Sequence, residues 1–277
     1  QEIKKQLFQE EEKDFVLFFN SRNIRRKQIP DTMLAFKYFL DKLPKEKADK
    51  CCFILHTEVI SEHGTDLEAI RKILFSDYPN AIYFSQQKLG TAQMNWMYNL
   101  ADLTVLPSSN EGWGLSLTES MMAETMIAAN VTGGMQDQMR FVNDKNEWID
   151  FDADFPSNHR GTYKKHGKWA VPIFPTNRSV VGSLPTPYIF DDRCNFEDIG
   201  KAIEEVYNLT PEERAERGKA GREWCLSEEA KMSSSKMCEN VIDAIDETFT
   251  KFKKRSAFDF IKIEDRKADY VEHKLVY

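Results

Sequence analysis

The chain has 277 residues, 41% apolar and 30% charged, a globular composition with room for one large domain and an appendage. Its 45 acidic and 38 basic side chains leave a formal charge of −7, which argues against a general nucleic-acid binder and confines any phosphate site to a local cluster. No run of about eighteen apolar residues is present to span a membrane, and the five cysteines form no C-x-x-C pair, as expected of a reduced cytosolic thiol set.

The opening "QEIKKQLFQEEEKDFVLFF" reads as if it enters in mid-protein, so residues 1–13 are taken as a leading segment. From Asp14 to Val131, short apolar runs alternate with helical patterns. "FVLFFN" (15–20) predicts a buried strand. "DTMLAFKYFLDKL" (31–43) predicts a helix that follows Pro30 and has Asp31 as N-cap. "CCFILHT" (51–57), "AIYFSQ" (81–86), "LTVLPS" (103–108) and "MIAANV" (126–131) are further strands. Helices at 66–77, 92–101 and 114–124 separate them. Strands that are apolar throughout and alternate with helices imply a parallel sheet covered on both faces. The fold expected is α/β, a doubly wound Rossmann-like sheet.

Between Met139 and Pro187 the pattern breaks, and an insertion is expected, with "GTYKKHGKWAVPIF" (161–174) as a β-hairpin within it. "TPYIFDD" (186–192) reads as a last short strand. Helices follow at 196–208, at 211–225 with Thr210 as N-cap and Pro211 at N1, and at about 228–254. The organisation expected is a domain over 14–225, with its insertion at 139–187, and a C-terminal helix and tail over 226–277.

In such a sheet ligands bind beyond the carboxyl ends of the strands. Pro107, Ser108 and Ser109 end one strand there. The main chain of Gly112, Trp113, Gly114 and Leu115 then offers bare amides and a helix N-terminus to an anion, ideally a diphosphate. Glu119, inside that helix, suits a ribose, and Glu111 a second polyol. After the first strand, "SRNIRRK" supplies Arg22 and Lys27 as a phosphate clamp, and Arg25 and Arg26 fit a solvated basic loop. Any one of these features alone is more often a turn or dipole compensation.

Together the residues resemble the C-terminal, donor-binding half of a retaining GT-B-fold glycosyltransferase, family 4-like with glycogen- and starch-synthase-like features. "SRNIRRK" is similar to the family's G-R-x4-K loop, "EGWGLSLTE" to its E-x7-E motif and "TGGMQDQM", with Gly133 and Gly134, to its glycine loop. The likeness covers 14–137 and 186–225. Ser21, Glu124 and Met126 depart from the family's Gly, Gly and Pro.

The resemblance implies transfer of a sugar from a nucleoside-diphosphate sugar to an unknown acceptor (glycan, lipid or protein) with retention of configuration. It assigns Arg22, Lys27 and Glu111 to catalysis, without a metal or other cofactor. It assigns Glu119, Gly112, Trp113, Gly114, Leu115, Gly133 and Gly134 to donor binding, and places the base against the 84–91 loop. It also implies an N-terminal acceptor-binding domain, while the reduced thiol set points to a cytoplasmic location. "KFKKR" (251–255) is a weak cue for a peripheral membrane contact. A nucleotide-sugar-binding subunit or fragment that needs a partner half, and a sugar-nucleotide epimerase, are the alternatives.

Asp150, Asp152 and Asp154 resemble the metal-binding D-x-D of the other glycosyltransferase fold. They follow no nucleotide-binding strand, and a solvated acidic loop is the favoured reading. The five histidines show no ligand spacing, although His56 ends a strand near the expected site.

Overall fold

The computed structural model describes residues 8, 13–149 and 158–255; Asp150, Asp152 and Asp154 lie outside them. The described residues divide into two units, one ending at Met232 and the other beginning at Ser233.

Six strands build the main sheet of the first unit: β1 (Phe15–Asn20), β2 (Cys51–His56), β3 (Ile82–Ser85), β4 (Leu103–Leu106), β5 (Met126–Asn130) and β6 (Ala170–Ile173). All pair in parallel, in the order β3-β2-β1-β4-β5-β6. Alternate residues of a strand face opposite sides. Phe15, Leu17 and Phe19 accordingly enter one core and Val16 and Phe18 the other. The first core is closed by α1 (Ile29–Leu40) and α6 (Phe196–Tyr207), the second by α4 (Thr91–Leu100). With water excluded from both faces, every β1 residue before Asn20 must be apolar, and Asn20 is where the strand meets solvent.

The remaining helices of this unit are α2 (Lys45–Ala48), α3 (Leu67–Leu74), α5 (Leu115–Met122) and α7 (Pro211–Cys225). Asp66 caps α3 by accepting from Ala69 N at 2.9 Å. Thr210 and Glu213 form a reciprocal capping box on α7, with Pro211 in its first turn.

The first helix departs from expectation. Asp31 is not its cap. Gln28 is, in a left-handed conformation (φ 52°, ψ 39°), because Pro30 fits the first turn at no hydrogen-bond cost and lets the helix start at Ile29. Asp31 lies in that first turn and pairs with Arg193 at 2.6 Å.

The insertion is also organised differently. Residues 161–174 do not form a hairpin: Ala170–Ile173 is the sixth strand of the parallel sheet, paired with β5, and so belongs to the core domain. Its place at the sheet edge accommodates Pro172, which has no N–H to donate. The hairpin comes later, β7 (Asn177–Ser183) against β8 (Thr186–Arg193), antiparallel and separate from the main sheet. The strand expected at 186–192 is therefore half of this ribbon, not the sheet's last member.

The second unit contains α8 (Ser234–Lys251), shorter than the helix expected at 228–254 and capped by Ser233. Met237, Val241, Ile245 and Phe249 recur along it every four residues.

Candidate functional site at the switch between β1 and β4

Strand order reverses between β1 and β4, and the loops that leave these two strands diverge around a crevice at their carboxyl ends. They are sewn together below it. Ser109 N donates to Arg26 O at 2.8 Å, Gln28 Nε2 to Pro107 O at 2.7 Å, and Arg26 Nη1 to Asn110 O at 2.6 Å. The buried Ser108 and Ser109 hydroxyls both donate to Arg26 O. The serines after β4 thus fix the early basic loop in place.

A cavity of about 430 Å³ opens above this seam, lined by Arg22, Lys27, Glu111, Gly114, Leu115 and Glu119 among others. Arg22 and the start of α5 therefore share one cavity. Arg22 is exposed, and its guanidinium has no hydrogen-bond or ion-pair partner among the described residues. Lys27 is buried and donates to Glu111 Oε1, and Arg26 reaches the same oxygen at 2.7 Å. Burial pulls the Lys27 ammonium below its ordinary pKa, and the hydrogen bond to Glu111 opposes that shift.

On the other side, Tyr98 of α4 donates to Glu119 Oε2 at 2.5 Å and accepts from Asn20 Nδ2 at 2.8 Å. Burial raises the Tyr98 pKa, so the phenol keeps its proton and stays a donor. Gly114, at φ +87°, makes the turn into α5 that a side chain would strain. Trp113 turns its indole back to Thr118 at 2.9 Å. Thr118 bonds the buried Gln138, whose amide holds the Trp113 carbonyl at 2.6 Å.

Gly133 and Gly134 do not line the cavity. They back the Glu111–Gly112 loop so closely that an added Cβ would lie 2.1 Å from Glu111 O or 2.2 Å from Gly112 O. Gly112 faces open space and lines a different cavity, beside the hairpin.

A neighbouring 430 Å³ cavity shares Asn20, Ser21 and Arg22 with the first and is walled by His56 and by Ser85–Lys88 of the 84–91 loop. His56 Nδ1 lies 2.9 Å from Ser85 Oγ, and burial lowers its pKa, favouring neutral imidazole. A 650 Å³ cavity beside Lys13, Lys45 and Lys50 lies at the opposite end of the sheet, at the start of β2. There Lys45 pairs with Asp49 and Lys50 with Asp14.

Sequence reasoning missed Arg26, Tyr98 and Gln138. Arg26 is expected to be solvated, yet it bonds four residues of the facing loop, Ser108, Ser109, Asn110 and Glu111. The other two act across long sequence gaps that no local pattern announces.

A six-stranded parallel sheet in this order, with its crevice at the β1/β4 switch, defines a doubly wound, Rossmann-like α/β domain. Residues 1–146 match the family model "Glycosyl transferases group 1", and the chain belongs to that family. No curated protein matches it. Among solved structures it is similar to the C-terminal domain of the glycosyl transferase group 1 family protein LpcC from Francisella tularensis. The TM-score is 0.55 at 13% identity, over 82% of this chain and 92% of that one. It is also similar to OtsA in its apo form, with TM-score 0.58 at 14% identity, over 87% and 45% of the two chains. A third likeness is to a structure described as "Trehalose-6-phosphate from E. coli bound with UDP-2-fluoro glucose", with TM-score 0.53 at 13% identity, over 82% and 43%. The chain spans less than half the length of the latter two.

Proposed function

We propose that this chain is the donor-binding half of a retaining glycosyltransferase that uses a nucleoside-diphosphate sugar and no metal. The observation that carries the reading is the sharing of one cavity by Arg22, Lys27, the N-terminus of α5 and the carboxylates Glu111 and Glu119. As the bond from the anomeric carbon to the diphosphate breaks, its electron pair stays on the diphosphate oxygen. Arg22, Lys27 and the amides at Gly114 and Leu115 stabilise that charge as it develops, and need no reorganisation to do so because they are already in position. The acceptor hydroxyl bonds to the anomeric carbon from the same face and passes its proton to the departing oxygen. Glu119 keeps Oε1 for the ribose hydroxyls while Tyr98 fills Oε2. Glu111, held by Lys27 and Arg26, meets hydroxyls of the sugar, and the base lies against Ser85–Lys88.

The UDP-sugar analogue in a structurally similar protein supports a nucleotide-sugar donor. The twofold greater length of the similar enzymes supports an N-terminal acceptor-binding domain as partner. No helix of the described residues is long and apolar enough to cross a membrane, and a cytoplasmic site of action fits the reduced thiols.

The test is a thermal-shift panel of nucleotide sugars with and without chelator, followed by product analysis with acceptors. Selective stabilisation that survives chelator is expected, and glycoside product would establish transfer. A changed free sugar nucleotide would instead mean epimerisation, and binding without turnover a module that needs its other half. Stabilisation abolished by chelator would return attention to Asp150, Asp152 and Asp154.

A further inference from the structure

Gln138 is fully buried in the short turn Asp137–Met139, behind the loop that enters α5. The core holds that turn from two sides. Trp169 donates its indole N–H to the Gln138 carbonyl at 3.0 Å, and Gly167 N donates to Met139 O at 2.8 Å. The side chain is aligned by a one-way line of protons. An indole N–H can only donate, so Trp113 Nε1, 2.9 Å from Thr118 Oγ1, leaves the threonine hydroxyl to give its single proton elsewhere. That proton goes to Gln138 Oε1 at 2.7 Å, which turns the glutamine NH2 away from Thr118. The NH2 donates to Trp113 O at 2.6 Å and, at 3.3 Å, to Gly114 O.

The other ends of those two peptides face the site. A trans peptide is planar, with its C=O and N–H on opposite sides. The Trp113 carbonyl shares its peptide with the Gly114 N–H, and the Gly114 carbonyl shares its own with the Leu115 N–H. Drawing both carbonyls toward the buried amide therefore turns both N–H groups away from it, to the side where Trp113, Gly114 and Leu115 line the donor cavity. Neither N–H donates to any group among the described residues. Gly114 is left-handed (φ 87°, ψ 64°) and leads straight into a right-handed helix, a sequence of conformations that makes successive N–H groups converge on an anion.

Building on the donor-site reading, we infer that Gln138 is a positioning residue for the diphosphate. It lines no part of the donor cavity, and from behind the loop it aims the Gly114 and Leu115 N–H groups at the phosphoryl oxygens. A methionine would fill the same space, but it could not hold two carbonyls. Without that hold the two peptides are free to turn, and donors that must reorganise during the step stabilise the developing charge less.

The experiment uses the full chain labelled with 15N in its glycine and leucine amides, the nucleoside diphosphate that stabilises it most, and the corresponding nucleoside. In the parent the Gly114 and Leu115 amide protons should move downfield with the diphosphate and stay in place with the nucleoside. In Gln138→Met those shifts should vanish, with diphosphate affinity about tenfold lower, the scale of a lost bond to a charged group, and nucleoside affinity changed by less than about twofold. A merely structural role would weaken both ligands alike. Should Gln138→Met not fold, Gln138→Glu carries the same expectation, because it keeps the shape and the acceptor for Thr118 but not the donor. Parent amides that stay still while the diphosphate binds, a variant that retains their shifts, or two affinities that fall together would overturn the inference. Failure of every nucleoside diphosphate to bind the parent would instead reject the donor-site reading beneath it.

Discussion

Tyr98 and Glu119, on neighbouring helices, are joined by a 2.5 Å hydrogen bond, and Asn20 at the end of β1 donates to the same phenol. One tyrosine thereby ties the rim of the central strand to the proposed ribose carboxylate. Tyr98→Phe leaves the ring packing against Phe18 intact but strips Asn20 and Glu119 of a partner. The expected result is nucleoside-diphosphate affinity lower by about 1.5–3 kcal/mol, the scale of a lost hydrogen bond to a charged group. Calorimetry checks it, and unchanged affinity would separate Glu119 from ribose recognition.

The Arg22 guanidinium has no hydrogen-bond or ion-pair partner among the described residues, so Arg22→Ala should cost binding but not stability. A loss of about 1–3 kcal/mol in nucleoside-diphosphate binding with an unshifted melting curve is expected. Glu119→Ala should match it in binding. A large stability loss in Arg22→Ala would contradict its free guanidinium.

Lys27 has its pKa lowered chiefly by burial. Between its folded and unfolded values the unfolded chain holds the extra proton, so this residue makes the native state more stable as pH rises. Binding runs the opposite way, because the diphosphate needs the ammonium. Affinity should therefore begin to fall below the pH at which an ordinary lysine, near 10.5, would titrate. Measured from pH 7 to 10, the slope should vanish in Lys27→Met.

Three glycines at one loop make a graded test. Gly134→Ala would drive Cβ to 2.2 Å from Gly112 O, and Gly133→Ala adds a left-handed backbone to a similar clash. Each should lose about 2–4 kcal/mol in denaturant unfolding. Gly112→Ala meets nothing within 4 Å and should stay within about 0.5 kcal/mol of the parent.

His159 is buried among Phe141, Tyr163 and Phe174, and desolvation depresses its pKa from 6.5 to about 4. Between those values the unfolded chain binds a proton that the native state refuses, so stability falls as pH drops through the window. Urea unfolding at pH 4.5 and 7 should show a smaller acid loss in His159→Leu than in the parent.

The alternation of apolar strands and amphipathic helices made the doubly wound sheet legible, because burial on both faces forces that composition locally. Arg22, Lys27, Glu111 and Glu119 were legible for a related reason: strand ends and helix starts are marked in the chain, and ligands gather there. Local pattern failed where the partner decided the outcome. "AVPI" carries no sign of whether it folds back on its neighbour or adds to β5, since an edge strand with a proline looks like a ribbon strand.

What the sequence determined by itself was therefore the order of elements and the chemical groups at their ends. Only the tertiary structure decided that Arg26 braces the facing loop, that Tyr98 serves Glu119, and that a hairpin stands beside Glu111. Those relations join residues from 21 to 85 positions apart, and spacing along a chain says nothing about distances that packing alone sets.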